Sequence, residues 1–126
     1  MKILDGVRYT KTDEWVLLDG DVATVGISDY AQSKLGDIVF VGDMTVGAVL
    51  KAGDLLVSIE SVKAATDVYS PVAGTILEAN AAVTAKPELL NADPFGAGWL
   101  ARIKTANADE LNALMSSSDY AEFRKG

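Results

Sequence analysis

The sequence predicts a mainly β protein, a sandwich or barrel of short strands that closes with helix. Glycine recurs at short intervals, at Gly6, Gly20, Gly26, Gly36, Gly42, Gly47, Gly53 and Gly74, with β-branched segments between. That punctuation belongs to many short strands, and the helical signals lie where glycine is sparse, above all after Asn107. A length of 126 residues suits one such unit, since roughly 100–200 residues make a domain. The span 1–126 is therefore read as a single domain with a helical end over about residues 107–124.

The elements follow in order. Arg8–Tyr9 and Trp15–Leu18 are the first strands, and Asp19-Gly20-Asp21 turns the chain into Val22–Ile27. Ser28 is placed to cap a short helix over Asp29–Leu35. Strands are expected at Ile38–Val41, Val46–Leu50, Leu55–Ser61, Ala64–Ser70, Gly74–Ala79 and Trp99–Lys104. Nine short strands imply a sandwich or barrel. Pro87 starts a helical turn through Pro87–Asn91. Asn107 with Glu110 resembles a capping box, after which Leu111, Leu114 and Met115 share a helical face. Tyr120 and Phe123 continue that stripe after a break at Ser116–Ser118.

Composition excludes much chemistry. Cysteine and histidine are both absent, which removes disulfides, thiol nucleophiles, Ser-His-Asp relays, Cys/His zinc sites and histidine switches. A net charge of −7 disfavours nucleic acid and anionic membranes as partners and favours partners with basic patches. No apolar run approaches the roughly 18 residues of a membrane helix, and the start lacks a secretory apolar core, so a cytoplasmic location is expected, or a mitochondrial matrix one if a transit peptide has been removed. GxGxxG and GxxxxGK[ST] are missing, and the scattered acids lack the spacing of a metal loop. Trp15, Trp99, Tyr30 and Phe40 are read as core or interface aromatics, because no basic run accompanies them.

One segment stands apart. Counting outward from Val62-Lys63 as a two-residue turn pairs Ser61 with Ala64, Ile59 with Thr66 and Val57 with Val68. Val57, Ile59 and Val68 then share an apolar face, as a hairpin requires, and Lys63 sits at the tip. Val-Lys supplies none of the positive-φ residues that such turns prefer. By itself a lysine there is a solvated surface charge. Glu60 and Asp67 nearby are the opposite of the apolar or cationic surroundings a Schiff-base lysine needs, which argues against that role. A rigid hairpin that projects a lysine is also what a lysine-modifying enzyme needs.

Glu60-Ser61-Val62-Lys63-Ala64 followed by Asp67-Val68-Tyr69-Ser70-Pro71-Val72-Ala73-Gly74 resembles the lipoyl-lysine segment of the glycine cleavage system H proteins, members of the biotinyl/lipoyl-attachment superfamily. Tyr9-Thr10-Lys11, Glu14-Trp15-Val16, Val25 to Gln32, Leu35 to Val41, Pro87 to Asn91, Asp93 to Gly96 and Gly98-Trp99-Leu100 resemble the family in the same order, so the likeness covers about Val7 to Phe123. Two places depart from it: Asp13 stands where the family usually has histidine, and Gly42-Asp43-Met44-Thr45 replaces an acidic, Pro-Glu-containing loop. Biotin carriers resemble Ala-Met-Lys-Met around their lysine, which is not found here. The lipoyl domains of 2-oxoacid dehydrogenases are nearer, but they lack a helical end like Asn107–Phe123.

The resemblance implies a barrel-sandwich hybrid of antiparallel strands with short helices and a C-terminal helix. It implies lipoate, covalently attached to Lys63, with Glu60, Ser61, Val62 and Ala64 forming the recognised hairpin. It also implies a non-catalytic carrier, probed by three partners. These are a pyridoxal-phosphate glycine decarboxylase (P protein), a folate-dependent aminomethyltransferase (T protein) and a flavin dihydrolipoyl dehydrogenase (L protein); lipoate-attaching enzymes act on it as well. The carrier is expected to be a monomer. Glu14, Ile27, Ser28, Ala31 and Asp67, with Ala64, are placed by position near the site where the loaded arm rests. The alternatives are a lipoyl protein of the same build that relays lipoate to other complexes, and an unmodified interaction domain.

Overall fold

Each of the nine segments read as a strand contains one in the computed structural model, which describes residues 1–125; the last residue of the span 1–126 lies outside the described residues. The fifth is cut to Val49–Leu50, because Val46–Gly47 turn with Gly47 at φ 92° and Ala48 N bonds Thr45 O, and the ninth starts at Ala101 and not at Trp99. The strands are β1 (Arg8–Tyr9), β2 (Glu14–Asp19), β3 (Val22–Ile27), β4 (Ile38–Val41), β5 (Val49–Leu50), β6 (Leu55–Ser61), β7 (Ala65–Tyr69), β8 (Gly74–Ala79) and β9 (Ala101–Thr105). Every pairing is antiparallel. Six strands form one sheet in the order β1-β2-β3-β9-β8-β5, and β4-β6-β7 form a second. This is the expected barrel-sandwich build.

The core lies where the two sheets face each other. Val16, Val25, Ile76 and Ile103 of the larger sheet meet Ile38, Val41, Val57, Ile59 and Val68 of the smaller one, all buried. Strand alternation delivers these side chains, and each fully buried one stabilises the fold by roughly 1.5–3 kcal/mol. A second cluster of Val7, Tyr9, Trp15 and Tyr120 sits outside the larger sheet. Because this cluster covers the far side of β2, Glu14, Trp15 and Val16 are consecutively buried. Trp15 faces the second cluster and bonds the Pro94 carbonyl through Nε1 at 3.0 Å. It lies across Gly26, its partner in register. A Cβ on Gly26 would stand 2.6 Å from Trp15 Nε1, so only glycine fits.

The helices differ more from expectation. Helix α1 (Asp29–Leu35) is capped by the Ser28 hydroxyl, as expected. Helix α2 (Ala81–Ala85), capped by Asn80, was not anticipated, and α3 (Leu89–Ala92) starts two residues after Pro87. The helical end is two pieces. A 3₁₀ helix spans Ala108–Ala113, and α4 spans Ser117–Phe123.

Asn107 does cap the first piece, but the Glu110 carboxylate accepts from Ala73 N at 3.0 Å and so makes no reciprocal box. Leu114 is extended and Met115 bridges Tyr9, which ends the single helical face expected for Leu111, Leu114 and Met115. The Ser116 hydroxyl accepts from Asp119 N and starts α4, the cap that serine prefers over a helix interior. Tyr120 is buried, whereas Phe123 is 44% exposed and does not continue the stripe.

Candidate functional site

The β6–β7 hairpin carries Lys63 at its tip. Its register is the one counted from the sequence: Val57 opposite Val68, Ile59 opposite Thr66, Glu60 opposite Ala65. Neither Val62 nor Lys63 has positive φ, so the turn is not closed by the backbone forms that favour Asn-Gly. The Ser61 side chain closes it instead. Its Oγ accepts from Ala64 N at 3.1 Å and, at 3.4 Å, from Lys63 N, and it donates to the Ala64 carbonyl at 3.2 Å. Ser61 N also donates to Ala64 O at 2.8 Å, and Val62 N to Asp37 O at 3.0 Å, which ties the tip to the corner before β4.

Val62, Lys63 and Ala64 are exposed. The Lys63 stem does not simply project outward. Its Cε lies 3.4 Å from where a Cβ on Gly36 would stand, so the methylenes run against that glycine. Gly36 adopts φ 73°, ψ −157° at the end of α1, a conformation open essentially to glycine alone.

Beside the hairpin is a cleft of about 150 Å³ between the Thr10–Glu14 loop, α1 and β7. Glu14, Ile27, Ala31 and Asp67 line it together, with Thr12, Asp13, Lys34, Leu35, Thr66 and Val68. Ser28 lies off the lining: it is buried, accepts from Ala31 N at 3.2 Å and shares a 2.7 Å hydrogen bond with Tyr120 Oη. Ala64 stays on the hairpin, outside the cleft. Glu60 faces a shallower groove on the outer side of the small sheet, with Phe40, Ser58 and Asp67.

Among the described residues, Glu14 is the one buried acidic side chain. Thr10 and Thr12 hydroxyls donate to its Oε1, the latter at 2.6 Å, and Tyr69 N donates to Oε2 at 3.2 Å. Burial raises its pKa, and these donors offset only part of that rise. Asp67 is exposed and held across the strand pair by Ser58 Oγ at 2.8 Å. The cleft thus sets two carboxylates in different surroundings at the edge of an apolar wall of Ile27, Ala31, Leu35 and Val68, a combination suited to a hydrocarbon chain that ends in a cation.

The cleft residues not foreseen had partial signals. Lys34 and Leu35 follow Ala31 at helical spacing, and Thr66 and Val68 flank Asp67 on one strand. Asp13, where the chain departs from the family, also lines the cleft. Its partner Arg124, 111 residues away, had no signal in sequence.

No helix among the described residues is long and apolar enough to cross a membrane. Residues 7–126 match the family model described as Glycine cleavage H-protein. The chain is 48% identical over 124 residues to a glycine cleavage system H protein of Coprothermobacter proteolyticus, covering 98% of each. It is 51% identical over 117 residues to that of Caulobacter vibrioides, covering 93% of this chain and 97% of the relative. A crystal structure of a glycine cleavage system H protein from Mycobacterium marinum superposes with a TM-score of 0.88 at 34% identity, covering 96% of this chain and 98% of that one.

Proposed function

The chain belongs to the glycine cleavage H-protein family, and on that premise we propose that Lys63 carries lipoate in amide linkage and that the cleft beside β7 is where the arm rests. The chain has the family's role, a lipoyl carrier in glycine cleavage. The relay and unmodified-domain alternatives are not favoured. We read residues 1–126 as one carrier domain, monomeric and cytoplasmic, a substrate of its partners and not a catalyst. Those partners are the P, T and L proteins and the lipoate-attaching enzymes, and their pyridoxal phosphate, folate and flavin do not belong to this chain.

The observation that carries the reading is an exposed lysine at the tip of a side-chain-closed hairpin whose second strand lines an apolar cleft. The fit to lipoate follows from strand geometry. Thr66 to Val68 lie roughly 10–17 Å along the chain from Lys63 at the usual strand rise, within reach of a lysine extended by a fatty acyl chain. When bound, lipoate supplies the dithiolane that takes the aminomethyl group from glycine at the decarboxylase, yields it at the aminomethyltransferase and is reoxidised by the dehydrogenase. The absence of cysteine is then no obstacle.

The chain's own residues do the rest. Ser61 fixes the backbone of the attachment point, so a modifying enzyme meets one shape and not an ensemble. Ile27, Ala31, Leu35 and Val68 exclude water from the resting arm, and Glu14 and Asp67 are placed to accept hydrogen bonds from a protonated amine at its end. Tethering keeps the cargo at high local concentration for each partner that docks.

The test is modification by a lipoate ligase followed by intact mass and peptide mapping. One lipoyl amide on Lys63 is expected; a chain left bare, or modified elsewhere, overturns the assignment.

A further inference from the structure

Asp13 is the one described non-glycine residue with positive φ, at 73°. That region is disfavoured for most L-residues and tolerated better by aspartate, whose side chain can be held by hydrogen bonds. Here the holding groups come from the far end of the chain. Arg124 grips both Asp13 oxygens, Nε to Oδ1 at 2.8 Å and Nη2 to Oδ2 at 2.7 Å, and Nη2 also reaches the Lys11 carbonyl at 3.2 Å. Tyr120 Oη donates to Asp13 Oδ1 at 2.7 Å. The pair is mostly sheltered, at 22% and 15% exposure, so solvent screens it less than a surface bridge.

The guanidinium also stacks. Its carbon lies 4.4 Å from the Tyr30 ring centre on α1 and 4.6 Å from that of Phe123 on α4. One side chain therefore touches both walls of the cleft, the Thr10–Glu14 loop through Asp13 and α1 through Tyr30. The Asp13 backbone closes the same joint, because its carbonyl accepts from Ser28 N, the residue that caps α1, at 2.9 Å.

We propose that Arg124, acting through Asp13 and Tyr30, is a positioning residue that clamps the loop bearing Thr12 and Glu14 against α1 and so keeps the cleft shut around the resting arm. This rests on the cleft being that resting place. Removing the guanidinium leaves Asp13 in its positive-φ conformation with the Tyr120 hydroxyl as its remaining side-chain partner, and the loop relaxes. Lysine is no substitute, since it offers neither a planar fork nor a stacking face.

The experiment compares wild type, Arg124→Ala, Arg124→Lys and Tyr120→Phe. Amide exchange at Ser28 and Tyr69 is followed on the folded, unmodified chain, and release of the aminomethyl group on the lipoylated, loaded chain. Arg124→Ala is expected to speed exchange at both amides and release by about five- to thirty-fold, with Arg124→Lys between it and wild type and Tyr120→Phe smaller. Unchanged exchange in Arg124→Ala overturns the clamp whatever the release rate. Faster exchange with unchanged release means that the loop is clamped but does not shelter the arm, which overturns both the proposal and the resting-place reading while leaving Lys63 as the attachment site. An Arg124→Lys variant identical to wild type overturns the requirement for the fork.

Discussion

Ser61→Ala isolates what closes the attachment hairpin. The substitution removes the three contacts of Ser61 Oγ, at 3.1, 3.2 and 3.4 Å. Two are long and the tip is exposed, so water replaces much of what is lost, and the net destabilisation is about 1 kcal/mol. The backbone bonds from Ser61 N to Ala64 O and from Val62 N to Asp37 O remain, so the strands stay paired and the change falls on opening of the tip. A shift of that size multiplies the open population about five-fold. The assay is amide exchange at Ala64, whose N–H is the best-placed donor to Oγ, beside the initial rate of lipoate ligation at subsaturating enzyme. Exchange should rise about five-fold and ligation should slow, while the melting temperature falls by no more than about 5 °C. Ser61→Thr, which keeps the hydroxyl, should behave as wild type. Unchanged Ala64 exchange in Ser61→Ala, or the same loss in Ser61→Thr, would refute side-chain closure of the turn.

Lys63→Arg should fold and melt as wild type but accept no lipoate and support no glycine cleavage in a reconstituted assay; normal turnover would remove Lys63 from the mechanism. For Glu14, the raised folded pKa means that the folded chain holds this proton more tightly than the unfolded one. Its contribution is full below the unfolded value and is lost as pH rises through the folded value. Glu14→Gln, with its carbonyl toward Tyr69 N and its amide toward the threonine hydroxyls, should be more stable than wild type at neutral pH, the advantage vanishing toward acid; urea melts across pH check the sign. Glu14→Ala should leave lipoylation intact and hasten loss of the aminomethyl group, measured as formaldehyde released. Gly26→Ala forces Trp15 aside and should destabilise by about 1–3 kcal/mol, with a red shift in tryptophan emission as the readout.

The strands were legible because their signals are local. Glycine breaks and β-branched runs located all nine, and outward counting from Val62-Lys63 gave the hairpin register. The turn chemistry was not legible from propensity alone, because a Ser61 hydroxyl does the work that Asn-Gly does elsewhere. Helix α2 escaped notice although Asn80 is a good cap and Ala81–Ala85 is rich in a helix former. The split of the helical end was half visible as the serine break. What sequence could not give was that Tyr9 would draw Met115 into a bridge, since that pairing spans the chain. The same holds at the cleft. Glu14 and Asp67 were found by position in a known pattern, whereas Arg124 reaches Asp13 only after folding and has no periodic or local mark.

The hydrogen bond from Tyr69 N to Glu14 has a consequence for how these molecules coexist at high concentration. Strand β7 is an edge of the small sheet, and an edge with free amides invites strand addition from a second molecule. Glu14 occupies one of those amides and sets a carboxylate in the path of any incoming strand. The other edges are short: β1 and β5 have two residues each and β4 has four. Such stubs offer little template for cross-β growth. The glutamate that lines the cleft therefore also caps the longest open strand edge of the small sheet, where a second molecule would otherwise add a strand.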